Sequence, residues 1–189
     1  MPALEHPRPI TVAEYLAGEQ ESGIRHEYLG GAVHAMAGGD NRHNAVATNA
    51  LIAFGAALRG KACRPFNSDT KVRIETVNQT RFYYPDAMVV CAENPPGDHF
   101  QDQPVVITEV LSDSTRRIDL GEKRDAYLTL PSLKVLMLVE PAGRHVRLDR
   151  RKPDGGFVEE IHSGADAVIA LPEIDASLAL ADLFDGVAG

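Results

Sequence analysis

Two apolar segments that each carry a single acidic residue limit most strongly how this chain can fold. Residues 84–90 contain Asp86, and residues 105–111 contain Glu109. Apolar, β-branched segments of this length predict buried strands, and the second is typical of a central strand that is covered on both faces. A carboxylate in such a strand costs free energy unless another group pairs with it. Each acid therefore needs a partner, which makes both candidates for a functional site.

A shared metal ion is one partner that would satisfy both acids. If the two strands are neighbours, the carboxylates of Asp86 and Glu109 can lie about 5 Å apart on one face. Oxygen ligands suit Mg²⁺ or Mn²⁺, which keep several waters and then bind a substrate phosphate. Two structural roles are the alternatives. Asp86 could cap the start of a strand after Pro85, and Glu109 could pair with an arginine.

The segment after the second acidic strand, residues 114–130, is predicted to be helical. Its residues Asp119, Lys123 and Tyr127 are spaced i, i+4, i+8 and therefore share one face. Lys123 could turn back toward the two carboxylates, where it would orient or deprotonate a water, or neutralise charge that develops on phosphorus. The alternative is a surface ion pair between Asp119 and Lys123, which is the commoner use of such spacing.

The remaining pattern predicts a single α+β domain over residues 1–189, because no repeat, low-complexity tract or change of composition marks a linker. Further elements follow from capping residues, turn glycines and hydrophobic periodicity. Helices are predicted over residues 11–20, 41–58 and about 178–184. Strands are predicted over residues 70–76, 81–91 and 133–139, and hairpins over residues 25–36 and 144–161.

Glu27 and His43 are further candidates whose roles the residues leave open. If Gly30 and Gly31 form the turn of the first hairpin, Glu27 lies across from His34, so a cross-strand ion pair is its simplest role. His43, near the start of the long helix, could cap that helix, form a core hydrogen bond or contact a phosphate. The structural roles are the more common ones.

The net charge of −8 argues against a general nucleic-acid coat, because such proteins bind by neutralising many phosphates. It does not exclude a nuclease, since a metal ion can offset an acidic site. The best basic patch is in the second predicted hairpin, and a solvated hairpin face explains it at least as well. This patch consists of Arg144, Arg147, Arg150, Arg151 and Lys152.

Cellular location is indicated by cysteines and hydropathy. Cys63 and Cys91 lack a CxxC spacing, so we expect neither a disulfide framework nor a structural zinc site. We expect a reducing compartment instead. No segment approaches the roughly 20 apolar residues of a membrane span. The first residues do not have the pattern of a secretory signal. We therefore expect a cytoplasmic protein without membrane contact.

Several short motifs, taken in order, resemble the Uma-two family (domain of unknown function 820). The match runs from about residue 11 to residue 184, and its order and spacing are more specific than any single motif. That family is a large set of bacterial proteins regarded as endonucleases of the restriction-endonuclease-like PD-(D/E)XK superfamily. The motifs are His26-Glu27-Tyr28, Met36-Ala37-Gly38, His43, Asn67-Ser68-Asp69, Tyr84-Pro85-Asp86, Glu109-Val110-Leu111-Ser112, Asp119, Lys123, Tyr127 and Pro131-Ser132-Leu133.

This resemblance implies a mixed central β-sheet flanked by helices, that is, a restriction-endonuclease-like core with an N-terminal hairpin. It assigns Asp86 and Glu109 as the metal-holding acids and Glu27 as an acid that could complete the metal site. The plainest superfamily pattern has a lysine two residues after the second acid. That position is Leu111 here, so the resemblance implies that Lys123 supplies the lysine from the following helix.

The expected function is a Mg²⁺-dependent (or Mn²⁺-dependent) endonuclease that hydrolyses DNA phosphodiester bonds, with Asp86, Glu109, Lys123 and Glu27 as its catalytic residues. The alternative is a catalytically inactive nuclease-fold module for self-association or nucleic-acid binding. The complete set of acids and lysine favours the enzyme, whereas the acidic net charge favours the module. Hydrolysis of a smaller phosphoester, a homodimer, and the roles of His43 and Asp119 are left open.

Overall fold

The helices of this chain are mostly short, and their ends follow local sequence signals. The computed structural model describes residues 8–36 and 38–187. In this part of the chain the helices are α1 (Val12–Glu21), α2 (Asn41–Ala57), α3 (Arg116–Ile118), α4 (Arg124–Leu128) and α5 (Leu180–Leu183). Thr11 and Glu14 form a capping box at the start of α1, and Asp40 caps α2 through the backbone N–H of His43. The helices predicted over residues 11–20 and 41–58 are thus confirmed.

The strands form a six-stranded sheet, a five-stranded sheet and a two-stranded ribbon. The five-stranded sheet has the order β2-β1-β5-β4-β7, and the ribbon pairs β12 with β13. The bounds are β1 (His26–Leu29), β2 (Ala32–Ala35), β3 (Arg64–Asn67), β4 (Lys71–Glu75), β5 (Thr80–Tyr83), β6 (Ala87–Val90), β7 (Phe100–Gln101), β8 (Pro104–Val110), β9 (Val135–Glu140), β10 (His145–Arg151), β11 (Phe157–Ser163), β12 (Val168–Leu171) and β13 (Ala176–Ala179).

The six-stranded sheet has the order β11-β10-β9-β8-β6-β3 and is mixed. Strands β8 and β9 run parallel, and their neighbours pair antiparallel. The helical segment of α3 and α4 makes the crossover between the two parallel strands, as such a connection requires. The predicted central position of the Glu109 strand is confirmed, because β8 has β6 on one side and β9 on the other.

Both faces of the six-stranded sheet are covered, which explains why its strands are so apolar. On one face, α2 and the C-terminal elements pack on alternate residues such as Val89 and Met137. On the other face, α4 and the five-stranded sheet pack on the intervening residues, such as Met88 and Ile107. The chain therefore has an α+β fold with mixed sheets flanked by helices, as expected.

Three sequence predictions of local structure need correction. The strand predicted over residues 81–91 is two strands in different sheets, because the chain turns at Pro85, which has no N–H for a ladder bond. The helix predicted over residues 114–130 is interrupted by a π-helical turn, Asp119–Lys123, between α3 and α4. The helix predicted over residues 178–184 begins only at Leu180, since the preceding residues belong to β13.

A disulfide bond between Cys63 and Cys91 contradicts the expectation drawn from the cysteines. Strand β3 pairs antiparallel with β6, with Arg64 opposite Val90, so the next step of the register puts the two cysteines opposite each other. The sequence did not predict β3, so this proximity could not be foreseen. The cysteines therefore no longer support a reducing compartment. Within the described residues, no helix is long and apolar enough to cross a membrane.

Candidate active site

A cleft of about 520 Å³ lies where β6 begins and β8 ends, near α2 and the helical segment after β8. Its ionisable lining residues include Asp86, Glu109, Asp119 and Lys123. A larger cleft of about 730 Å³ near α5 is lined by two ionisable side chains among its described residues, Arg144 and Asp185. The candidate chemistry is therefore concentrated in the smaller cleft.

Asp86 stands at the start of β6, directly opposite the Glu109 position of β8. Ala87 pairs with Thr108, so one more step of the antiparallel register brings Asp86 across from Glu109 on the same face. The Asp86 carboxylate accepts a hydrogen bond of 2.7 Å from the Val110 N–H, and its Oδ2 lies 3.2 Å from His43 Nε2. The Asp86 side chain is still 15% exposed, so it can bind a further group from the cleft.

Glu109 is buried beneath this position, with only 4% of the residue exposed. Tyr127 donates a 2.6 Å hydrogen bond to its Oε1, and Lys123 Nζ lies 3.7 Å from the same atom. Burial raises the pKa of Glu109 well above its usual range; Lys123 opposes this shift, and the nearby Asp86 and Asp119 add to it. The alternative of an arginine partner for Glu109 is not what the structure shows.

Lys123 is the buried cation of the cleft and contacts three acids at once. Its Nζ is 2.7 Å from Glu27 Oε1 and 3.7 Å from the carboxylates of both Glu109 and Asp119. Burial would lower the pKa of Lys123, but Glu109, Glu27 and Asp119 together raise it. Both Asp119 and Lys123 are buried, so the alternative of a surface ion pair is wrong. The lysine keeps its proton in this setting.

Glu27 and His43 each contact a charged residue of the cleft, and the local sequence of neither residue predicted that contact. Glu27 lies opposite His34 in the β1–β2 register, as predicted, yet its carboxylate pairs with Lys123. No Glu27–His34 ion pair occurs in residues 8–36 and 38–187. The hydrogen bond to Asp86 raises the pKa of His43, and burial opposes that shift. The resemblance supplied Glu27, whereas nothing in the sequence paired His43 with Asp86.

Negative charge is in excess around this cleft. In the cluster around Lys123 and His43, these two cationic groups face four carboxylates, which belong to Glu27, Asp86, Glu109 and Asp119. In the part of the chain that the structure describes, no three His, Cys, Asp or Glu side chains form a ready-made ligand group. The arrangement is thus two opposed acids with an unbalanced charge rather than a closed metal cage.

Comparison with known proteins identifies the family. The Uma2 family, described as "Putative restriction endonuclease", matches residues 12–181. This chain belongs to the Uma2 family. The resemblance drawn from the motifs is thereby confirmed.

Two proteins of Synechocystis sp. and one solved structure are similar to this Uma2 chain. "Uncharacterized protein slr1290" is 30% identical over 95% of this chain and 93% of its own length. "Uncharacterized protein sll1609" is 29% identical over 69% of this chain and 75% of its own length. The crystal structure of "a putative nuclease belonging to DUF820" from Anabaena variabilis has a TM-score of 0.73 and 19% identity, and covers 95% of this chain and 100% of that one. It supports the nuclease-like fold.

The basic residues of the second hairpin contact carboxylates and carbonyls of the same chain, which agrees with the structural alternative for this patch. Carboxylates pair with three of its members, and backbone carbonyls accept hydrogen bonds from the other two. The pairs are Arg147 with Glu159, Arg150 with Glu160, Lys152 with Asp154, Arg144 with the Val187 carbonyl and Arg151 with the Leu133 carbonyl. Three of the five cationic groups are therefore ion-paired within the chain, and Arg144 and Arg151 have donors engaged by backbone carbonyls.

Proposed function

We propose that this Uma2-family chain hydrolyses phosphodiester bonds of DNA with the help of a divalent ion, Mg²⁺ or Mn²⁺, held by Asp86 and Glu109. The observation that carries the proposal is the opposed position of these two acids on adjacent strands, at the wall of one cleft. The family description and the nuclease-like fold support the same reaction class. Cytoplasmic location and a single-domain organisation fit this function and belong to the proposal.

The residues present fit a hard divalent ion. All the acidic donors are carboxylate oxygens, which Mg²⁺ and Mn²⁺ prefer. Mg²⁺ is commonly bound by one or two carboxylates, with waters and substrate phosphates completing its shell, so a closed protein cage is not required. The excess of negative charge around Glu109 and Asp119 would also be relieved by a divalent cation.

The contacts of several polar residues in and beside the cleft indicate their roles in the proposed reaction. A bound ion supplies Lewis-acid stabilisation and lowers the pKa of a coordinated water. The Val110 N–H and His43 orient Asp86, and Tyr127 orients Glu109. Lys123 remains charged among three carboxylates, so it suits charge stabilisation on phosphorus better than proton abstraction. Glu27 positions Lys123.

A cleavage assay with matched variants tests the proposal. Supercoiled and linear DNA would be incubated with the protein and Mg²⁺, Mn²⁺ or EDTA. We expect cleavage that requires metal and that falls at least about 10³-fold in Asp86→Asn and in Glu109→Gln. Asp175→Asn removes one exposed carboxylate outside the cleft and should cleave like the parent. Equal cleavage by Asp86→Asn and Asp175→Asn would refute the proposal.

A catalytically inactive module for self-association or nucleic-acid binding is the second candidate, and one observation favours it. Leu111 occupies the position of the plainest motif's lysine, and the displaced Lys123 is already matched by three acids. If no DNA is cut with either metal, while the chain dimerises or binds DNA in sedimentation or gel-shift experiments, the module is the better assignment.

A further inference from the structure

Arg25 differs from the other cationic residues that line the cleft. Lys123 and His43 have their charged groups against carboxylates inside the cleft, and both side chains are at most 15% exposed. The Arg25 side chain is 46% exposed and lies on the same cleft. It is therefore the lining cation that an incoming anion can reach most easily.

The contacts of Arg25 leave most of its donors free. Nη1 makes the protein contacts: it donates hydrogen bonds to the Ser68 carbonyl and, at 3.1 Å, to Ser68 Oγ, and it lies 3.1 Å from Asp69 Oδ1. Within residues 8–36 and 38–187, Nε and Nη2 donate no hydrogen bond. A guanidinium with free donors on one edge can bind a phosphate through two parallel hydrogen bonds.

The position of Arg25 is fixed, which a binding residue needs. Its carbonyl accepts a 2.9 Å hydrogen bond from the Met36 N–H at the open end of the β1–β2 hairpin. Its guanidinium lies 6.0 Å from the centre of the Tyr84 ring, another residue of the cleft wall. The Tyr84 hydroxyl is in turn held by Glu19. Backbone and wall thus hold the guanidinium at the cleft.

Asp69 is a weak and replaceable partner for this arginine. Its side chain is 72% exposed, and an exposed ion pair of this kind adds little to stability. A DNA phosphate carries the same charge as the Asp69 carboxylate and offers acceptor oxygens of similar geometry. A phosphate bound at the free Nε and Nη2 edge would therefore repel the Asp69 carboxylate, and the weak ion pair at Nη1 can break at little cost.

We propose that Arg25 binds a second backbone phosphate of the DNA, other than the one that is cut, through its free Nε and Nη2 donors, and that the charge of this phosphate displaces Asp69 from Nη1. This inference rests on the proposed function, because it takes DNA as the substrate. Arg25 is a substrate-positioning residue in this scheme. Its charge draws the strand along an otherwise acidic cleft.

Binding of a fluorescent DNA duplex, followed by anisotropy in EDTA at several KCl concentrations, tests the inference without cleavage. Arg25→Gln should weaken binding about tenfold and lower the slope of log K against log salt by about one, as for one lost phosphate contact. Asp69→Asn should tighten binding about two- to threefold, since the competing carboxylate is gone. Arg25→Lys should be intermediate, because it keeps the charge and loses the fork.

The matched controls are Lys61→Gln and Asp175→Asn, which make the same charge changes at an ion pair of 3.0 Å outside the cleft. Both should bind like the parent. The inference is overturned if Arg25→Gln matches Lys61→Gln, if Asp69→Asn weakens binding, or if the parent does not bind the duplex. These outcomes leave the metal-dependent cleavage test untouched, so the two proposals fail separately. If Arg25→Gln does not fold, Arg25→Lys and Asp69→Asn decide.

Discussion

Two buried acids of the six-stranded sheet, Glu109 in β8 and Asp149 in β10, differ in how completely nearby cations compensate their charge. Asp149 is 1% exposed and is matched by arginines: Arg124 makes two hydrogen bonds of 2.7 and 2.8 Å to its oxygens, and Arg147 adds a third contact at 3.4 Å. Glu109 is also buried, at 4% exposed, yet its only ion-pair partner within 4 Å among the described residues is Lys123 at 3.7 Å.

This difference separates a structural acid from a candidate functional one. A planar arginine fork bonds both oxygens of a carboxylate and neutralises its charge, as Arg124 does at Asp149. Lys123 is a single point charge shared with Glu27 and Asp119, so it leaves negative charge uncompensated. Burial of unmatched charge costs stability and tends to persist at functional sites. The neighbouring residues Lys123 and Arg124 thus serve different regions of the molecule.

After the loss of Asp86 or Glu109 themselves, replacement of these two neighbours gives the largest expected effect on cleavage. We expect Lys123→Ala to slow DNA cleavage about 10²-fold, the usual scale for loss of a charge-stabilising group. Arg124→Ala should leave the rate per folded molecule unchanged. Single-turnover cleavage, normalised to the folded fraction from thermal melts, measures both. Equal losses of rate in the two variants would mean that Lys123 has no special place in the reaction.

Neutralising Asp149 should destabilise the protein, whereas neutralising Asp86, the acid opposite Glu109, should not. Asp149→Asn removes the charged partner of two arginines, so we expect a loss of roughly 3–5 kcal/mol in the free energy of unfolding. Asp86→Asn relieves repulsion in an acidic cluster and should leave the stability of the metal-free protein unchanged or higher. Urea unfolding in EDTA measures both changes. A large loss of stability in Asp86→Asn would assign this acid to the structure instead.

Metal ions should distinguish the two regions in a third way. An ion that binds only the folded state adds stability by mass action, about 1.4 kcal/mol at ten times its Kd, or a Tm increase of about 3–6 °C for a chain of this size. We expect this increase with Mg²⁺ or Mn²⁺ in the parent and in Asp149→Asn. Asp86→Asn should lose it. An increase that persists in Asp86→Asn would place the ion elsewhere.

Local sequence patterns predicted most of the fold, because the signals were local. The capping box at Thr11, the Gly30-Gly31 turn and the apolar run of β8 each specify structure within a few residues. The short strands β3, β7, β12 and β13 were missed, since each is stabilised by pairing with distant residues rather than by its own pattern. The Cys63–Cys91 bond depends on such a pairing.

The candidate site was predictable in part for the same reason. Asp86 and Glu109 stand out in apolar strands, and their shared face follows from strand periodicity once β6 and β8 are neighbours. The place of Lys123 beside Glu27 could not be derived from spacing, because it depends on how the five-stranded sheet packs against the helical segment. The contact of His43 with Asp86 has the same origin.

Glu19, another acid that lines the cleft, can be compared with Glu109 in its response to pH. Burial would raise the pKa of Glu19, but hydrogen bonds from Tyr84 and His26 lower it, so the shift is opposite to that of Glu109. A carboxyl whose pKa is lower in the folded state adds stability above its unfolded pKa of about 4.3, and this stability is lost as the pH falls through the folded value.

We therefore expect the smallest effect from Glu19→Gln, a loss of stability that is present near pH 7 and shrinks as the pH falls. Because the glutamine does not titrate, this variant should be less stable than the parent near pH 7 and should lose less stability as the pH falls below about 4.3. Glu21→Gln, an exposed change on the same helix, is the control and should follow the parent. Urea unfolding between pH 7 and pH 3 measures the three curves. Parallel curves for Glu19→Gln and the parent would show that the hydrogen bonds from Tyr84 and His26 do not favour the ionised form of Glu19. The pKa shifts of Glu19 and Glu109 would then no longer be opposite in direction.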